Sequence, residues 1–164
     1  PNIKIWISGF NFYEEPEGGW ANLANVPGAM KQRGVNNRGR GFAKINFITL
    51  DAFCAAGLIP NPPDLVKIDV EGYQARAICG AAGLVKAHRP TFVIELHDPE
   101  KLARFGVTNR DTVAPLFAAG YHGYWCGNHR ASDAAFERVD AMGDKHEKLS
   151  LMVFVHPARL NGAH

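Results

Sequence analysis

The chain has 164 residues, of which 46% are hydrophobic and 21% are charged, a balance typical of a globular domain with a hydrophobic core. Eighteen Lys and Arg against sixteen Asp and Glu give a formal net charge of +2, which is too small to indicate binding to nucleic acid or to an anionic membrane. The three cysteines form no CxxC motif, and no apolar run reaches the roughly 20 residues of a membrane-spanning helix, so we expect a cytoplasmic protein with reduced thiols.

The amino-terminal part combines strand patterns with a long glycine-rich stretch. Residues 3–7 alternate between apolar and polar side chains and predict a strand, and residues 10–14 predict a second. Residues 15–43 are rich in Gly, Asn and Arg, and we predict a long irregular loop or insertion there, within one domain spanning 1–164. Because the chain starts almost directly with a strand pattern, we expect it to be part of a longer domain.

The pattern becomes βαβ in the middle of the chain. Residues 65–69 predict a strand, residues 73–87 a helix with small apolar side chains near helical spacing, and residues 91–97 a second strand. The unit is about 30 residues long, the usual size for two parallel strands with a helical crossover. We therefore expect an α/β fold with a right-handed crossover.

The carboxyl-terminal part predicts one helix followed by three strands. The helix covers about 109–119 and is followed by Gly120, and the strands lie near 121–126, 135–139 and 150–156. The last strand is almost entirely apolar, which indicates a central position in the sheet.

Four polar residues lie at or just after the carboxyl ends of the two strands of the βαβ unit. Asp69 and Glu71 end the first strand, and Glu95 and His97 end the second. The carboxyl ends of parallel strands meet at one edge of a sheet, where α/β proteins bind their ligands. These residues are therefore candidates for acid/base chemistry or for binding a divalent metal ion. The alternatives are that Asp69 and Glu71 only stabilise the next helix, and that His97 is a surface or capping residue.

Other polar and aromatic residues have simpler interpretations. We expect Lys67, inside an apolar strand, to form a salt bridge with a nearby carboxylate. The spacing of His122, Cys126 and His129 fits no standard zinc site, and aromatic packing with a turn is favoured. Trp20 and Trp125 could stack on a sugar or another ring, but packing is the favoured interpretation. The basic residues of the long loop, which could bind an anion but are more typical of a solvated loop, are Lys31, Arg33, Arg38, Arg40 and Lys44.

A series of short motifs resembles the carboxyl-terminal half of the FkbM-type methyltransferases. The order is Thr49-Leu50-Asp51, then the string from Lys67 to Gly72 (KIDVEG), then Gly80-Ala81, Arg89-Pro90 and a strand with Glu95. The match is good over 45–97 and loose to about 156. The KIDVEG string in this order is fairly specific, whereas each piece alone is weak.

The resemblance implies a Rossmann-like class I methyltransferase sheet that uses S-adenosylmethionine. The strands at 65–69 and 91–97 would be its fourth and fifth, and the last two strands its antiparallel hairpin. The family's first strands and glycine-rich turn are not recognisable, so we expect strand 65–69 to have an unpaired edge, resolved by a missing amino-terminal segment or a homo-oligomer. Gln74 departs from the family pattern, which usually has Glu there.

The resemblance also implies a reaction and residue roles. The expected function is O-methylation of a hydroxyl on a sugar, lipid or secondary-metabolite acceptor, with a base or a metal ion helping to remove the hydroxyl proton. Asp69 would orient the cofactor or the acceptor, Glu71 would bind the acceptor or act as base, and Glu95 and His97 are further catalytic candidates. No residue is assigned as a metal ligand. The alternatives are a non-catalytic methyltransferase-like binding module, and a metal-dependent enzyme that uses these four residues.

Overall fold

The computed structural model describes the backbone of four amino-terminal strands, and both backbone and side chains of residues 48–57 and 61–160. The amino-terminal strands are β1 (Lys4–Ser8), β2 (Asn11–Tyr13), β3 (Met30–Val35) and β4 (Phe42–Phe47). The remaining elements are α1 (Leu50–Ala55), β5 (Leu65–Asp69), α2 (Gln74–Cys79), α3 (Ala82–His88), β6 (Thr91–Leu96), α4 (Pro99–Ala103), α5 (Asn109–Ala118), β7 (His122–Cys126), β8 (Glu137–Val139), a 3₁₀ turn (Asp144–His146), β9 (Ser150–Val155) and α6 (Pro157–Leu160).

The larger sheet has six strands in the order β1-β5-β6-β9-β7-β8. Strands β1, β5 and β6 are parallel, and β9 is antiparallel to both of its neighbours, β6 and β7. Strand β7 therefore runs in the same direction as β5 and β6. The mixed α/β fold that the sequence predicts is confirmed, as are the parallel βαβ strands and the central position of β9. The antiparallel hairpin expected of the last two strands is wrong, because β8 and β9 lie on opposite sides of β7 and do not pair with each other.

Side chains on the central strands alternate between the core and the half-buried face. Val66 and Ile68 on β5, and Phe92 and Ile94 on β6, are fully buried. β9 follows the same pattern, since Met152 and Phe154 are also buried completely. This packing fixes the register of the strands, because a shift by one residue would turn the buried set outward.

The single helix predicted over 73–87 is wrong, since two helices occupy this interval. α2 ends at Cys79, α3 begins at Ala82, and Gly80 lies between them. A Cβ atom on Gly80 would lie 3.1 Å from the Cβ atom of Thr49, so the chain passes close to the start of α1 there. The break allows this approach and provides a second helix amino terminus, which Asp51 caps.

Strand β5 does not have the unpaired edge expected from the sequence. β1 lies beside it in parallel, with Lys4 opposite Leu65 and Ser8 opposite Asp69. The prediction was wrong because a strand from the start of the chain fills the place next to β5, which satisfies the backbone groups of that edge.

The irregular stretch predicted over 15–43 is also wrong in part. β3 lies inside it and pairs with β2 on one side and β4 on the other, which forms an antiparallel sheet of three strands. The sequence of β3, MKQRGV, has no apolar–polar alternation, so periodicity could not reveal it. Residues 14–29 and 36–41, including Trp20, lie outside the described residues.

Within the part of the chain that the structure describes, the helices are short. None of them is long and apolar enough to cross a membrane.

Candidate functional site

Three polar side chains converge where β5 and β6 end. Asp69 is the last residue of β5, Glu95 lies near the end of β6, and His97 directly follows β6. One ligand atom of each residue, a carboxylate oxygen or an imidazole nitrogen, lies within 4.8 Å of the other two. We refer to Asp69, Glu95 and His97 as the edge cluster. Parallel pairing of the two strands brings these residues together, as expected from the sequence.

Asp69 is held by a positive side chain from its own strand. The ammonium group of Lys67 donates a hydrogen bond to Oδ2 of Asp69 at 2.9 Å, so the predicted salt bridge of Lys67 is confirmed. Both side chains point to the same face of β5, since they lie two residues apart. Burial raises the pKa of Asp69, but hydrogen bonds with Glu95 and Lys67 outweigh it, and the net pKa lies below its usual value. Asp69 is therefore the anionic member of the cluster.

Glu95 differs from Asp69 in the direction of its pKa shift. Burial, followed by the hydrogen bond with Asp69 and its negative charge, raises the pKa of Glu95, and Arg130 offsets part of this rise. His129 Nε2 and Arg130 Nη2 each lie 3.4 Å from Oε1 of Glu95. Glu95 is therefore more easily protonated than Asp69, and its Oε1 faces the imidazole of His129 and the guanidinium of Arg130.

His97 is a buried member of the cluster, with 2% of its surface exposed. Its backbone N–H donates to Oδ1 of Asn109 at 3.3 Å, and the Asn109 amide donates to the His97 carbonyl at 2.8 Å. Burial and then the charge of Lys101 lower the pKa of His97, although nearby carboxylates oppose this shift. These effects favour the neutral imidazole, and because the side chain is buried, the alternative of a surface histidine is wrong.

One nitrogen of His97 lacks a hydrogen bond. Nε2 is inaccessible to solvent and has no partner among the described residues. A buried polar atom without a partner is costly, and such atoms concentrate where a ligand or ion supplies the missing contact.

Glu71 lies near the edge cluster but is not part of it. It has a positive φ of 54°, and its carboxylate forms an ion pair with Lys101 of α4. Gly72 follows with a φ of 106°, and a Cβ atom there would lie 2.6 Å from the ring of Phe105. Glu71 and Gly72 thus form a tight turn against α4 and the residues after it, and Phe105 in turn packs edge-on against Tyr73.

Gln74, which departs from the family pattern, stabilises the backbone of the edge cluster. Its side chain is 1% exposed, and its amide donates to the backbone carbonyl of Glu95 at 2.8 Å. An ionised Glu at position 74 could not donate this hydrogen bond. The amide therefore suits the environment that this chain provides.

We expect Gln74→Glu to destabilise the protein by about 1–3 kcal/mol at pH 8, because a buried carboxylate would replace a hydrogen-bond donor. The pKa of the new carboxyl would be raised by burial, so its protonated form could donate at low pH. The loss should thus shrink as the pH falls to 5. Urea unfolding of both proteins at the two pH values measures it; an equal loss at both would contradict this account.

The Thr49-Leu50-Asp51 motif is structural and does not reach the edge cluster. Thr49 caps α1 by accepting from the Ala52 N–H at 3.0 Å. The Asp51 carboxylate accepts from the N–H groups of Gly83 at 2.7 Å and Leu84 at 2.8 Å, which caps α3. The motif and the Gly80-Ala81 step therefore belong to one structural unit that joins α1 to α3.

We expect Asp51→Ala to lower the free energy of unfolding by about 1–2 kcal/mol, because two helix N–H groups lose their acceptor. Thermal unfolding measures this change, and Asp140→Ala is the control, since its contact with Arg138 is exposed. If the two variants melted at the same temperature, the capping role would be contradicted.

Sequence reasoning missed His129 and Arg130 as neighbours of the cluster. Only the order and directions of the strands reveal them. Strand β7 runs parallel to β6, so the turn after β7 reaches the same edge of the sheet. The interpretation of Trp125 as a packing residue is confirmed, because its indole N–H donates to the buried Ser150 hydroxyl at 3.0 Å. The side chains of the basic residues between Lys31 and Lys44 lie outside the described residues.

A comparison with models of known protein families gave a match. The Methyltransferase FkbM domain matches residues 12–123, which include Asp69, Glu95 and His97 but not His129 or Arg130. Comparisons with curated proteins and with solved structures gave no match. The matched region is more than half of the chain, and it contains the KIDVEG strand end from which the edge cluster starts. The chain therefore belongs to the FkbM methyltransferase family.

Proposed function

We propose that this protein transfers a methyl group from S-adenosylmethionine to a hydroxyl of a sugar, lipid or secondary-metabolite acceptor. The observation that carries this proposal is the edge cluster, in which two carboxyl groups with opposite pKa shifts and a buried imidazole meet at the carboxyl ends of two parallel strands. Membership of the FkbM methyltransferase family points to the same chemistry.

The strand order supports a class I methyltransferase arrangement. In that Rossmann-like arrangement the fourth and fifth strands are parallel, and an antiparallel seventh strand separates the fifth from the sixth. β5, β6, β9 and β7 follow this order and these directions. By analogy, Asp69 lies at the end of the fourth strand, beside the place of the cofactor.

The negative charge at this edge of the sheet suits the positive charge of the cofactor. S-adenosylmethionine supplies an electrophilic methyl group on a positively charged sulfonium. The lowered pKa of Asp69 keeps its carboxylate ionised, so it can attract positive charge and accept hydrogen bonds from hydroxyl or ammonium groups. We therefore assign Asp69 to binding and orienting the cofactor.

The other members of the cluster fit the acceptor hydroxyl. Glu95 and His97 lie within 4.8 Å of Asp69, so a hydroxyl placed between them would meet several polar atoms at once. Most of the rate enhancement in such a transfer comes from aligning the oxygen with the methyl group. The cluster would additionally help the hydroxyl to lose its proton, and Glu71, beside the cluster, would contact the remainder of the acceptor.

Incubation with S-adenosylmethionine labelled in its methyl group, together with a panel of sugars, lipids and polyhydroxylated metabolites, tests the proposal. We expect label to appear on the oxygen of at least one acceptor class, in an amount that depends on time and on enzyme. Cofactor binding without transfer to any member of the panel would instead favour a non-catalytic binding module.

A further inference from the structure

We propose that Asp69, Glu95 and His97 bind one divalent metal ion, which holds the acceptor hydroxyl during methyl transfer, beside the cofactor that Asp69 also helps to orient. The role of the ion rests on the proposed function, whereas the binding itself can be tested without any methyl transfer. Two carboxylates and one imidazole are the kind of ligands that Mn²⁺, Fe²⁺ and Zn²⁺ take from proteins.

The distances require only a small adjustment. The three ligand atoms lie within 4.8 Å of one another. Ligand atoms bound at about 2.1 Å from an ion are at most about 4.2 Å apart, so a side-chain movement of less than about 1 Å would complete the site. Asp69 and Glu95 lie on two neighbouring strands whose buried residues fix their position, and His97 directly follows the second of these strands.

A second observation, independent of the carboxylates, also points to a ligand. The imidazole of His97 is buried, and its Nε2 has no hydrogen-bond partner among the residues described. The backbone of His97 is held on both sides by Asn109, which limits how the ring can move. A buried imidazole with an unpartnered nitrogen beside two carboxylates provides the kind of ligand set that divalent transition-metal ions take from proteins.

The ion pairs at the site leave room for an ion. Lys67 contacts Oδ2 of Asp69, while His129 and Arg130 contact Oε1 of Glu95. Each carboxylate therefore has a second oxygen that these ion pairs do not use. When both carboxylates are ionised they repel each other at this distance, and a cation between them removes the repulsion. The positive charges of Lys67 and Arg130 repel the metal ion, so we expect its affinity to be micromolar rather than nanomolar.

The ion would act on the acceptor as a Lewis acid. The hydroxyl oxygen would bind to it and lose its proton to solvent water. The oxygen would then form the bond to the methyl carbon with its electron pair, while the carbon–sulfur bond breaks and leaves its pair on sulfur. This sequence requires no side chain of the cluster to act as base, because all three are ligands.

Titration of the 164-residue protein with Mn²⁺ tests the proposal, with free ion followed by electron paramagnetic resonance. We expect one ion per chain with a micromolar dissociation constant, and at least a tenfold weaker affinity in both His97→Gln and Glu95→Gln. The matched controls, His88→Gln and Asp64→Asn, alter exposed residues near the opposite edge of the sheet and should bind as the unchanged protein does. Circular dichroism verifies that each variant is folded.

Absence of stoichiometric binding, or equal affinity in the cluster variants and the controls, would overturn the metal site. Methyl transfer after chelation separates this outcome from the fate of the proposed function. Full transfer by the chelated protein would overturn the metal role and leave the methyltransferase proposal standing. Ion binding that depends on His97, without methyl transfer, would support the metal site and count against the methyltransferase proposal.

Discussion

Replacing Asp69 by Asn is expected to abolish methyl transfer with little loss of stability. The substitution removes the anionic charge of the edge cluster, which our account assigns to the cofactor, and removal of one group that orients or stabilises the transition state commonly costs about 100- to 1000-fold in rate. The fold should survive, because the Asp69 side chain is 25% exposed and its salt bridge with Lys67 is worth at most about 1 kcal/mol. Initial rates with labelled S-adenosylmethionine measure the loss.

The matched control for this experiment is Asp64→Asn. Asp64 directly precedes β5, at the opposite end of the strand from Asp69, and it also forms an ion pair, with Arg159 at 2.6 Å. We expect this variant to retain its rate within about twofold. A normal rate in Asp69→Asn, or an equal loss in both variants, would show that the carboxyl edge of β5 is not the site of the reaction.

Replacing Gly72 by Ala is expected to give the largest loss of stability, about 3 kcal/mol. The backbone of Gly72 has a φ of 106°, and a Cβ atom there would lie 2.6 Å from the Phe105 ring. The variant must therefore accept a strained backbone, costing about 1–3 kcal/mol, and displace an aromatic ring that packs against Tyr73, costing a similar amount. Chemical denaturation measures the change.

The variant Gly57→Ala separates the cost of the strained backbone from the cost of displacing the Phe105 ring. Gly57 also has a positive φ, of 65°, but a Cβ atom there would have nothing within 4 Å among the residues that the structure describes. The free energy of unfolding of this variant should fall only by the cost of the strained backbone, about 1 kcal/mol. Equal losses in the two variants would contradict the tight contact between Gly72 and Phe105, and with it our explanation of why the motif ends in glycine.

The edge cluster could be predicted from the sequence because strand direction alone determines it. Asp69 and Glu95 lie at the ends of two apolar runs of the right spacing for a βαβ unit, so parallel pairing had to bring them to one edge. His129 and Arg130 could not be predicted in the same way. Their place depends on β7 lying beyond β9 in the sheet, and no local pattern in the sequence encodes that strand order.

The roles of neighbouring motif residues also depended on three-dimensional contacts. Glu71 is as prominent in the sequence as Asp69, but a positive φ and the pull of Lys101 direct its carboxylate to α4. The break between α2 and α3 follows from the approach of Thr49 to Gly80, two residues 31 positions apart. Contacts over such distances in sequence override helical periodicity, which predicts one continuous helix.

Calorimetric titration of the 164-residue chain with S-adenosylhomocysteine, the product left by the cofactor, tests the central claim most directly. Our account predicts micromolar binding that Asp69→Asn weakens at least tenfold and that Asp64→Asn leaves unchanged, because Asp69 belongs to the edge cluster and Asp64 does not. Absence of binding, or binding that is indifferent to Asp69, would contradict the assignment of this edge of the sheet to methyl transfer.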